Sequence, residues 1–516
     1  MSILYDCIVV GSGHAGSSAA LSAVQHGCQK VLVIDKCPRE WAGGNGCFTA
    51  AAYRTVHDGL QDLLPIVSNI SPEKAETIDM LPYTKSDFTQ DVMRLSDNRS
   101  DPEIVKAVVD ESREAIQWLK DYVGVPFILS FHRQAYEING RQKFWGGMVL
   151  SADDGGKGLI AAHHRALERH GIEVWYDCQA IELLEQDGAV AGVIARQDGG
   201  LIELRSRSVI LATGGFEASQ DLRRKYLGEV WESARVRGTP YNTGDGLTLA
   251  QKVGALIKPP LSAFSEAGCH STCWDYNAPL SHGDRILSNQ YTKSGYPLGV
   301  MVNSAGKRFV DEGEDFRNYT YAKFGKRILE QEGGMAIQVY DSKVISWLRK
   351  EEYGDDVVEK IWGDTLEELA DKLTEKGLKD KTQFLHTVHT FNESIRVHQA
   401  EHPNLKWNPS VKDGLSTDAS MILPKSNWAL PINVPPFLAV RVACGITFTF
   451  GGLAIEPETA GVVKDAPGKK VVKGLFCTGE LVGGLFYGNY PGGSGLTAGA
   501  VFGRKAGREA AKLAGY

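Results

Sequence analysis

The residues whose spacing most directly implies chemistry lie between Tyr5 and Lys36, in YDCIVVGSGHAGSSAALSAVQHGCQKVLVIDK. Gly11, Gly13 and Gly16 stand in G-x-G-x-x-G spacing, and Asp35 follows about twenty residues later. That set suits a dinucleotide. Gly11 permits a tight turn, Gly13 lets backbone approach a pyrophosphate, Gly16 lets a helix pack closely, and the Asp35 carboxylate can accept hydrogen bonds from a ribose. His14 and Ala15 sit inside the turn and Lys36 follows the acid, so all three are expected beside the cofactor.

Such chemistry requires a strand, a turn, a helix and a second strand, and the flanking residues supply them. Cys7 to Val10 is apolar and β-branched, too short for a helix and suited to a strand buried on both faces. The helix that follows is rich in small residues and would aim its N-terminal N–H groups at phosphates. Val31 to Ile34 forms the second strand. The pattern alone leaves NAD and FAD both open.

At 516 residues the chain has room for two or more cores, and 57 glycines imply many tight turns and close ligand approaches. A net charge of −7 without a long basic run argues against nucleic acid as a partner. The first strand starts by residue 5, leaving no room for a signal peptide, and no apolar run reaches the roughly eighteen residues a membrane span needs. A cytoplasmic protein with no integral membrane segment is expected. Nine scattered cysteines suggest reduced thiols rather than a disulfide framework. Cys269 and Cys273 have only His270 nearby, so no metal site is expected.

Residues 41 to 54, WAGGNGCFTAAAYR, hold few large side chains, so Gly43, Gly44 and Asn45 would let backbone run along the cofactor. Arg54 ends that passage and could face a substrate anion. Asp101-Pro102 reads as a helix start. The buried run Ser208 to Leu211 ends in Ala212-Thr213-Gly214-Gly215, a bare turn suited to a ligand, and Asp245 in Thr243-Gly244-Asp245-Gly246 could cap the helix after it. From about 257 to 435 the texture turns to aromatics, prolines and charged helices. One of these is predicted at Thr365, with Glu368 completing a capping box. The end of the chain then returns to the first texture, so the cofactor domain is expected to be discontinuous: 1–256 and 436–516, with a substrate domain inserted at 257–435.

Together these pieces resemble the flavoprotein family of fumarate reductases, succinate dehydrogenases and 3-ketosteroid dehydrogenases. The resemblance is carried by Gly11 to Gly16, Asp35, Gly43-Gly44-Asn45, Ala212 to Gly215, Thr243 to Gly246, Gly306-Lys307-Arg308-Phe309-Val310-Asp311-Glu312 and the tail from Gly479-Glu480 to Leu496. The phrases GITFTFGG, FRNYTYAK and NYPGGSGLTAGAVFGR are most similar to the tricarballylate dehydrogenase branch. The resemblance implies an α/β fold with a Rossmann-like, glutathione-reductase-type FAD domain and an inserted α+β substrate-capping domain. It implies FAD rather than NAD. Asn45, Gly46, Thr49, Ala50 and Ala51 would line the pyrophosphate and flavin side, and Ala180 the adenine region. Asp245 and Glu480 would meet the flavin and its ribityl chain, while Gly495 and Leu496 would offer N–H groups to the pyrimidine edge. Relatives that tether FAD through a histidine have it at the position of Asn45, so a non-covalent flavin is expected.

The same resemblance places the proton-transferring arginine at Arg317, with Arg308 and Glu312 in its relay. An arginine serves this way only where positive neighbours and desolvation lower its pKa. Fumarate reductases hold one substrate carboxylate with a histidine and an arginine at positions that here are Thr447 and Tyr490. A C4-dicarboxylate would lose two charge-assisted hydrogen bonds of about 1.5–3 kcal/mol each. Tyr490-Pro491-Gly492-Gly493 instead resembles the ketosteroid dehydrogenases, implying that the Tyr490 hydroxyl and the Ser494 N–H bind a ketone oxygen. His270 falls near another substrate histidine of the fumarate reductases. The expectation is therefore an FAD-dependent oxidoreductase acting on a CH–CH bond α,β to a carboxylate or carbonyl. Its electrons would pass to oxygen, a quinone or a separate protein. The alternatives are an ene reductase of a small unsaturated acid or enone, and an isomerase or scaffold in which FAD is structural.

Overall fold

The computed structural model describes residues 4–286, 292–468 and 470–516. The chain divides into two compact units. The first comprises Met1–Glu229, Gly238–His270 and Thr447–Tyr516, and the second comprises Val230–Arg237 and Ser271–Ile446.

The first unit is built on a six-stranded sheet in the order Glu173–Trp175, Val31–Ile34, Cys7–Val10, Val209–Leu211, Val471–Cys477, Gly461–Val463. The first five are parallel and the last is antiparallel. All four residues of Cys7–Val10 and of Val31–Ile34 are buried, which is why those segments are continuous apolar runs rather than alternating ones. Cys7–Val10 lies between the strand it leads to through the helix His14–Gln25 and the strand Val209–Leu211. The glycine turn at its carboxyl end thus opens where connections diverge, the usual ligand crevice of such sheets. The helix Ser494–Ala514 crosses His14–Gln25 so closely that a Cβ on Gly503 or Gly507 would lie 2.8 Å from the Ala15 carbonyl oxygen or 2.3 Å from that of Ala19. Small residues on both helices permit that approach. Asp101 caps the helix Pro102–Trp118 as predicted, its Oδ1 accepting the Glu103 N–H at 3.0 Å.

The second unit is α+β. Val300–Asn303, Met335–Tyr340 and Phe437–Thr449 pair antiparallel, the last strand running on past the unit's end at Ile446. Leu369, Leu373, Phe384 and Phe391, from the helices Leu366–Thr374 and Lys381–Glu401, pack on Ile337 and Val339. Thr365 Oγ1 accepts the Glu368 N–H, but Glu368 Oε2 takes the N–H of Asp364 rather than that of Thr365, so the predicted capping box closes one residue early.

The boundaries of this unit differ from 257 and 435 for identifiable reasons. Ile257–Lys258 pairs with Gly452–Leu453, and Phe264 stacks on Phe216, which holds 257–270 in the first unit. Pairing of Phe437–Thr449 with Met335–Tyr340 carries the second unit on to Ile446.

Candidate flavin and substrate site

The glycine turn has a shape that side chains would block. Gly11 has φ +110°, and a Cβ there would lie 2.3 Å from the Ala212 carbonyl oxygen; on Gly16 it would lie 1.9 Å from that of Gly11. Gly13 precedes the helix His14–Gln25, whose first N–H groups lack intrahelical acceptors and face the crevice end of the sheet. Gly46 approaches His14 and Ile160, so the passage after Asp35 folds back over the turn. That passage, Gly44–Phe48, is a short 3-10 helix entered through Gly43 at φ +99°, not an open loop. Thr49 Oγ1 accepts the Ala51 N–H at 3.1 Å, and Ala51 holds φ +49°. Ala50 lies between them, half-buried.

Asp35 Oδ2 accepts from the N–H and the hydroxyl of Ser12, at 2.8 and 2.7 Å, and Oδ1 accepts from the Cys37 N–H at 3.1 Å. A carboxylate has about four acceptor positions, so one remains for a ribose hydroxyl. Lys36 Nζ donates to Asp245 Oδ2 at 2.8 Å and to the Thr243 hydroxyl at 2.6 Å, with Gln179 also reaching Asp245 at 3.3 Å. Asp245 does not cap its helix, because Gly244 occupies the N-cap position and Asp245 is the first helical residue. Ala180 pairs with Ala195 in the neighbouring four-stranded sheet.

A buried polar cluster lies beyond Thr213 and Gly214. Asn45 Nδ2 donates to Glu217 Oε1 at 2.6 Å and to the Thr447 carbonyl at 2.5 Å, and Asn45 Oδ1 accepts the Thr239 N–H at 2.9 Å. Asn242 Nδ2 donates to the same Glu217 oxygen at 2.7 Å. Glu480 Oε1 accepts the Thr449 N–H at 2.7 Å. Burial raises both carboxyls, and the Glu217 charge raises Glu480 further, well above the usual carboxylate range.

The start of the helix Ser494–Ala514 carries the next group. Its N-cap, Gly493, has φ +86°, and a Cβ there would lie 2.8 Å from the Arg54 N. Arg54 is fully buried; it donates to the Gly492 carbonyl at 2.9 Å and to the Tyr83 hydroxyl at 2.8 Å, and pairs with Asp91 at 3.1 Å. These bonds tie the turn down and engage the guanidinium that was expected to face an anion. His14 Nε2 lies 2.9 Å from the Leu496 carbonyl, which can only accept, so that nitrogen donates. His14 Nδ1 must then accept from His163 Nε2, 2.8 Å away. Burial pushes His14 down to about 4 and holds His163 well below its ordinary 6.5.

Tyr490 is buried within a cluster of rings. His270 stacks on Phe448 at 5.1 Å between centroids, and Tyr490 meets His270 edge-on at 5.3 Å, Phe448 at 5.1 Å and Phe486 at 5.2 Å. Phe450 closes the group, 5.7 Å from Phe486. The cluster abuts the helix start: a Cβ on Gly495 would lie 3.7 Å from Phe448 Cζ and 4.0 Å from Tyr490 Cε2. Ser494 N–H already makes a long 3.3 Å bond to the Pro491 carbonyl, and its hydroxyl donates there too at 2.5 Å. Thr447 is buried and lies next to Phe448 in the strand.

In the second unit, Arg308 and Glu312 form a buried two-bond pair, at 3.1 and 2.5 Å, with Glu312 also accepting the Met301 N–H at 2.7 Å. Arg308 donates further to the Leu423 carbonyl at 2.8 Å. Arg317 opens the short helix Arg317–Thr320 and is half-buried.

Glu217, Asn242 and the ring partners Phe448, Phe450 and Phe486 were not among the expected site residues. Phe448 and Phe450 could have been found, because the alternation in Ile446-Thr447-Phe448-Thr449-Phe450 puts both rings on one side of extended backbone. An acid two residues beyond Gly214-Gly215 was also a signal, since an apolar strand end rarely buries a carboxyl without a partner.

A glycine turn on a parallel sheet, a ribose acid with spare acceptor capacity and a second helix start in the same unit define a dinucleotide-binding protein. The chain belongs to the FAD binding domain family, whose model matches residues 6–64 and 79–496, and its cofactor is FAD. It is 27% identical over 516 residues to the NADH:fumarate oxidoreductase of Klebsiella pneumoniae (strain 342), covering 99% of this chain and 48% of that protein. It is 28% identical over 509 residues to the fumarate reductase (cytochrome) of Shewanella frigidimarina, covering 98% of this chain and 77% of that protein. The chain thus spans about half the length of the first relative and about three quarters of the second. In fold it is similar to the 3-ketosteroid delta1-dehydrogenase of Sterolibacterium denitrificans, solved with 1,4-androstadiene-3,17-dione, at TM-score 0.72 and 19% identity over 99% of each chain. Among the described residues no helix is long and apolar enough to cross a membrane.

Proposed function

We propose that the protein oxidises a CH–CH bond, or reduces the corresponding C=C bond, next to a carbonyl or carboxylate, and that it prefers a flat cyclic or aryl substrate to a C4-dicarboxylate. FAD, when bound, supplies the hydride acceptor or donor. The observation that carries the reading is Tyr490, set among His270, Phe448 and Phe486 and against the start of the helix Ser494–Ala514. Its hydroxyl holds the substrate oxygen, and the Ser494 N–H joins it by giving up its long bond to Pro491. Binding that oxygen makes the α C–H acidic, and Arg317 exchanges the α-proton, with the Arg308–Glu312 pair supporting it. The rings offer a flat substrate stacking and edge contacts and exclude water around the oxygen.

Names among the relatives, fumarate reductase and NADH:fumarate oxidoreductase, support the bond type. Thr447 and Tyr490 in place of two charged groups support the departure from their substrate. Asn45, which cannot form a histidyl tether, supports a non-covalent flavin. A separate donor or acceptor, whether protein, quinone or oxygen, completes the electron path.

Anaerobic titration of the oxidised and reduced protein tests this, using saturated and unsaturated pairs of cyclohexane carboxylates, cyclic ketones, aryl propionates, succinate and tricarballylate. Bleaching or recovery of the flavin band by the cyclic or aryl pairs, with succinate at least about tenfold weaker, is expected. A flavin that responds to none of the pairs would remove the oxidoreductase reading, and one that responds best to succinate or tricarballylate would remove the ring preference.

A further inference from the structure

We propose that Ser100 and Arg99 are positioning residues for Tyr490: they clasp residues 483–489, the loop that carries Phe486 and leads into Tyr490, and so fix where the Tyr490 hydroxyl stands. The inference rests on the role proposed above for Tyr490, while the clasp itself is read from contacts within the first unit. It starts at a turn between the helices Lys85–Leu95 and Pro102–Trp118. Asp97 and Asn98 there hold φ +52° and +57°, two consecutive residues other than glycine in the left-handed region. Asp and Asn enter that region more readily than most side chains, yet the conformation persists only where surrounding contacts demand it.

Those contacts follow at once. Ser100, 2% exposed, donates its hydroxyl to the Leu485 carbonyl at 2.6 Å, and the next N–H, that of Asp101, donates to the Gly484 carbonyl at 2.8 Å. Arg99 reaches further along the loop: its Nη1 donates to the Glu266 carbonyl at 3.2 Å, and its Cζ lies 5.1 Å from the centre of the Tyr487 ring. The Gly488 N–H donates to the Ala267 carbonyl at 2.6 Å, one residue beyond the carbonyl that Arg99 holds. Residues 484, 485, 487 and 488 are thus each engaged. Phe486 stands between them, with its ring 5.2 Å from that of Tyr490 and 5.7 Å from that of Phe450.

The Ser100 bond matters because Leu485 is buried. Its carbonyl, deprived of the hydroxyl, has no bulk water to turn to, so the loop must shift to satisfy it. Phe486 is the next residue, and its ring packs directly on that of Tyr490, so a shift there moves the phenol. A donor to a developing negative charge is sensitive to such displacement, since a misplacement of about 1 Å is enough to slow a reaction markedly. Ser100 touches neither Tyr490 nor the other rings of the cluster, and acts through the loop.

Two measurements on the FAD-loaded chain test this. Amide hydrogen exchange, read by mass spectrometry, should be at least about fivefold faster across residues 483–489 in Ser100→Ala and at least about twofold faster in Arg99→Ala, with the strand Cys7–Val10 unchanged in both. Turnover of the substrate pair that bleaches the flavin is then compared in a cycle of Ser100→Ala with Tyr490→Phe. Ser100→Ala should lower kcat about tenfold when the Tyr490 hydroxyl is present and less than about twofold when it is already gone, with FAD affinity within about twofold throughout. Wild-type exchange of the loop in Ser100→Ala would overturn the clasp. Equal losses of kcat in the two backgrounds would make Ser100 a general support of the fold and overturn its positioning role. A flavin that responds to no substrate would end the proposed reaction instead, and the exchange rates would still decide the clasp.

Discussion

Arg54 Nε donates to the Gly492 carbonyl at 2.9 Å, fastening a segment only 54 residues into the chain to the turn that follows Tyr490. The same guanidinium pairs with Asp91, so a buried charge pair and a functional turn share one side chain. Arg54→Ala would leave the Gly492 carbonyl without its side-chain donor and cut Asp91 back to the Tyr83 hydroxyl and Arg94, at a cost of about 1–3 kcal/mol. Arg54→Lys should recover only part of this, since an ammonium cannot span the carbonyl, the Tyr83 hydroxyl and Asp91 with a fixed fork. Chemical denaturation reads the outcome. A stability change under about 1 kcal/mol in Arg54→Ala would show that the pair does not fasten the turn.

Gly16→Ala places a methyl group 1.9 Å from the Gly11 carbonyl oxygen, against backbone that cannot step aside. The helix His14–Gln25 must then shift away from the turn, and the purified variant should be colourless or far weaker in FAD binding, as judged by absorbance after incubation with FAD. A yellow protein of wild-type affinity would mean that the helix start does not form the phosphate site.

Much of this was legible before any coordinates. The run Cys7–Val10, the glycine spacing and Asp35 report local requirements, because a turn, a close approach and a strand end are each specified by a few adjacent residues. Asp101-Pro102 worked as a helix start for the same reason. Non-local pairings were the hidden part. Nothing near Arg54 says that Gly492 is its acceptor. Nothing near Asp245 says that Lys36, 209 residues away, is its partner. Glu217 went unseen because its partners Asn45 and Asn242 come from separate passages. The insert boundary moved for a similar reason, through the pairing of Ile257–Lys258 with Gly452–Leu453.

His14 and His163 set a limit on stability in acid. Burial holds His14 down at about 4 against an ordinary 6.5, and His163 well below 6.5, so the unfolded chain binds more protons than the folded one as pH falls from about 6.5 to 4. Stability contributed by the neutral pair is therefore whole above about pH 6.5 and is lost on acidification, by about 3 kcal/mol for His14 alone. The unfolding midpoint of wild type should fall across that window, and a His14→Gln/His163→Leu double variant should show a flatter profile. Parallel profiles for the two proteins would remove the pair as the cause.

Arg317→Ala should fold, bind FAD and stay yellow, yet lose turnover by about 10²–10⁴-fold, the usual scale for a positioned proton-transfer group. Stopped-flow measurement of flavin reduction or reoxidation by the active substrate pair isolates the step. Rates equal to wild type would take Arg317 out of the mechanism and leave its place at the start of Arg317–Thr320 as a structural one.

Tyr490→Phe separates oxygen binding from ring packing at one position. The phenyl ring keeps the contacts with His270, Phe448 and Phe486, so the apolar part of substrate binding should survive and KM should change little. On the proposed mechanism the hydroxyl acidifies the α-carbon, and loss of one such donor costs about 10²–10³-fold in kcat. Because the demand for that donor grows with charge on the oxygen, the defect should be larger for a ketone than for a carboxylate, which brings its own negative charge to both saturated and unsaturated forms. Steady-state kinetics with one substrate of each kind decide it. A fall in affinity without a fall in kcat would make Tyr490 a wall of the cluster rather than the group that holds the oxygen.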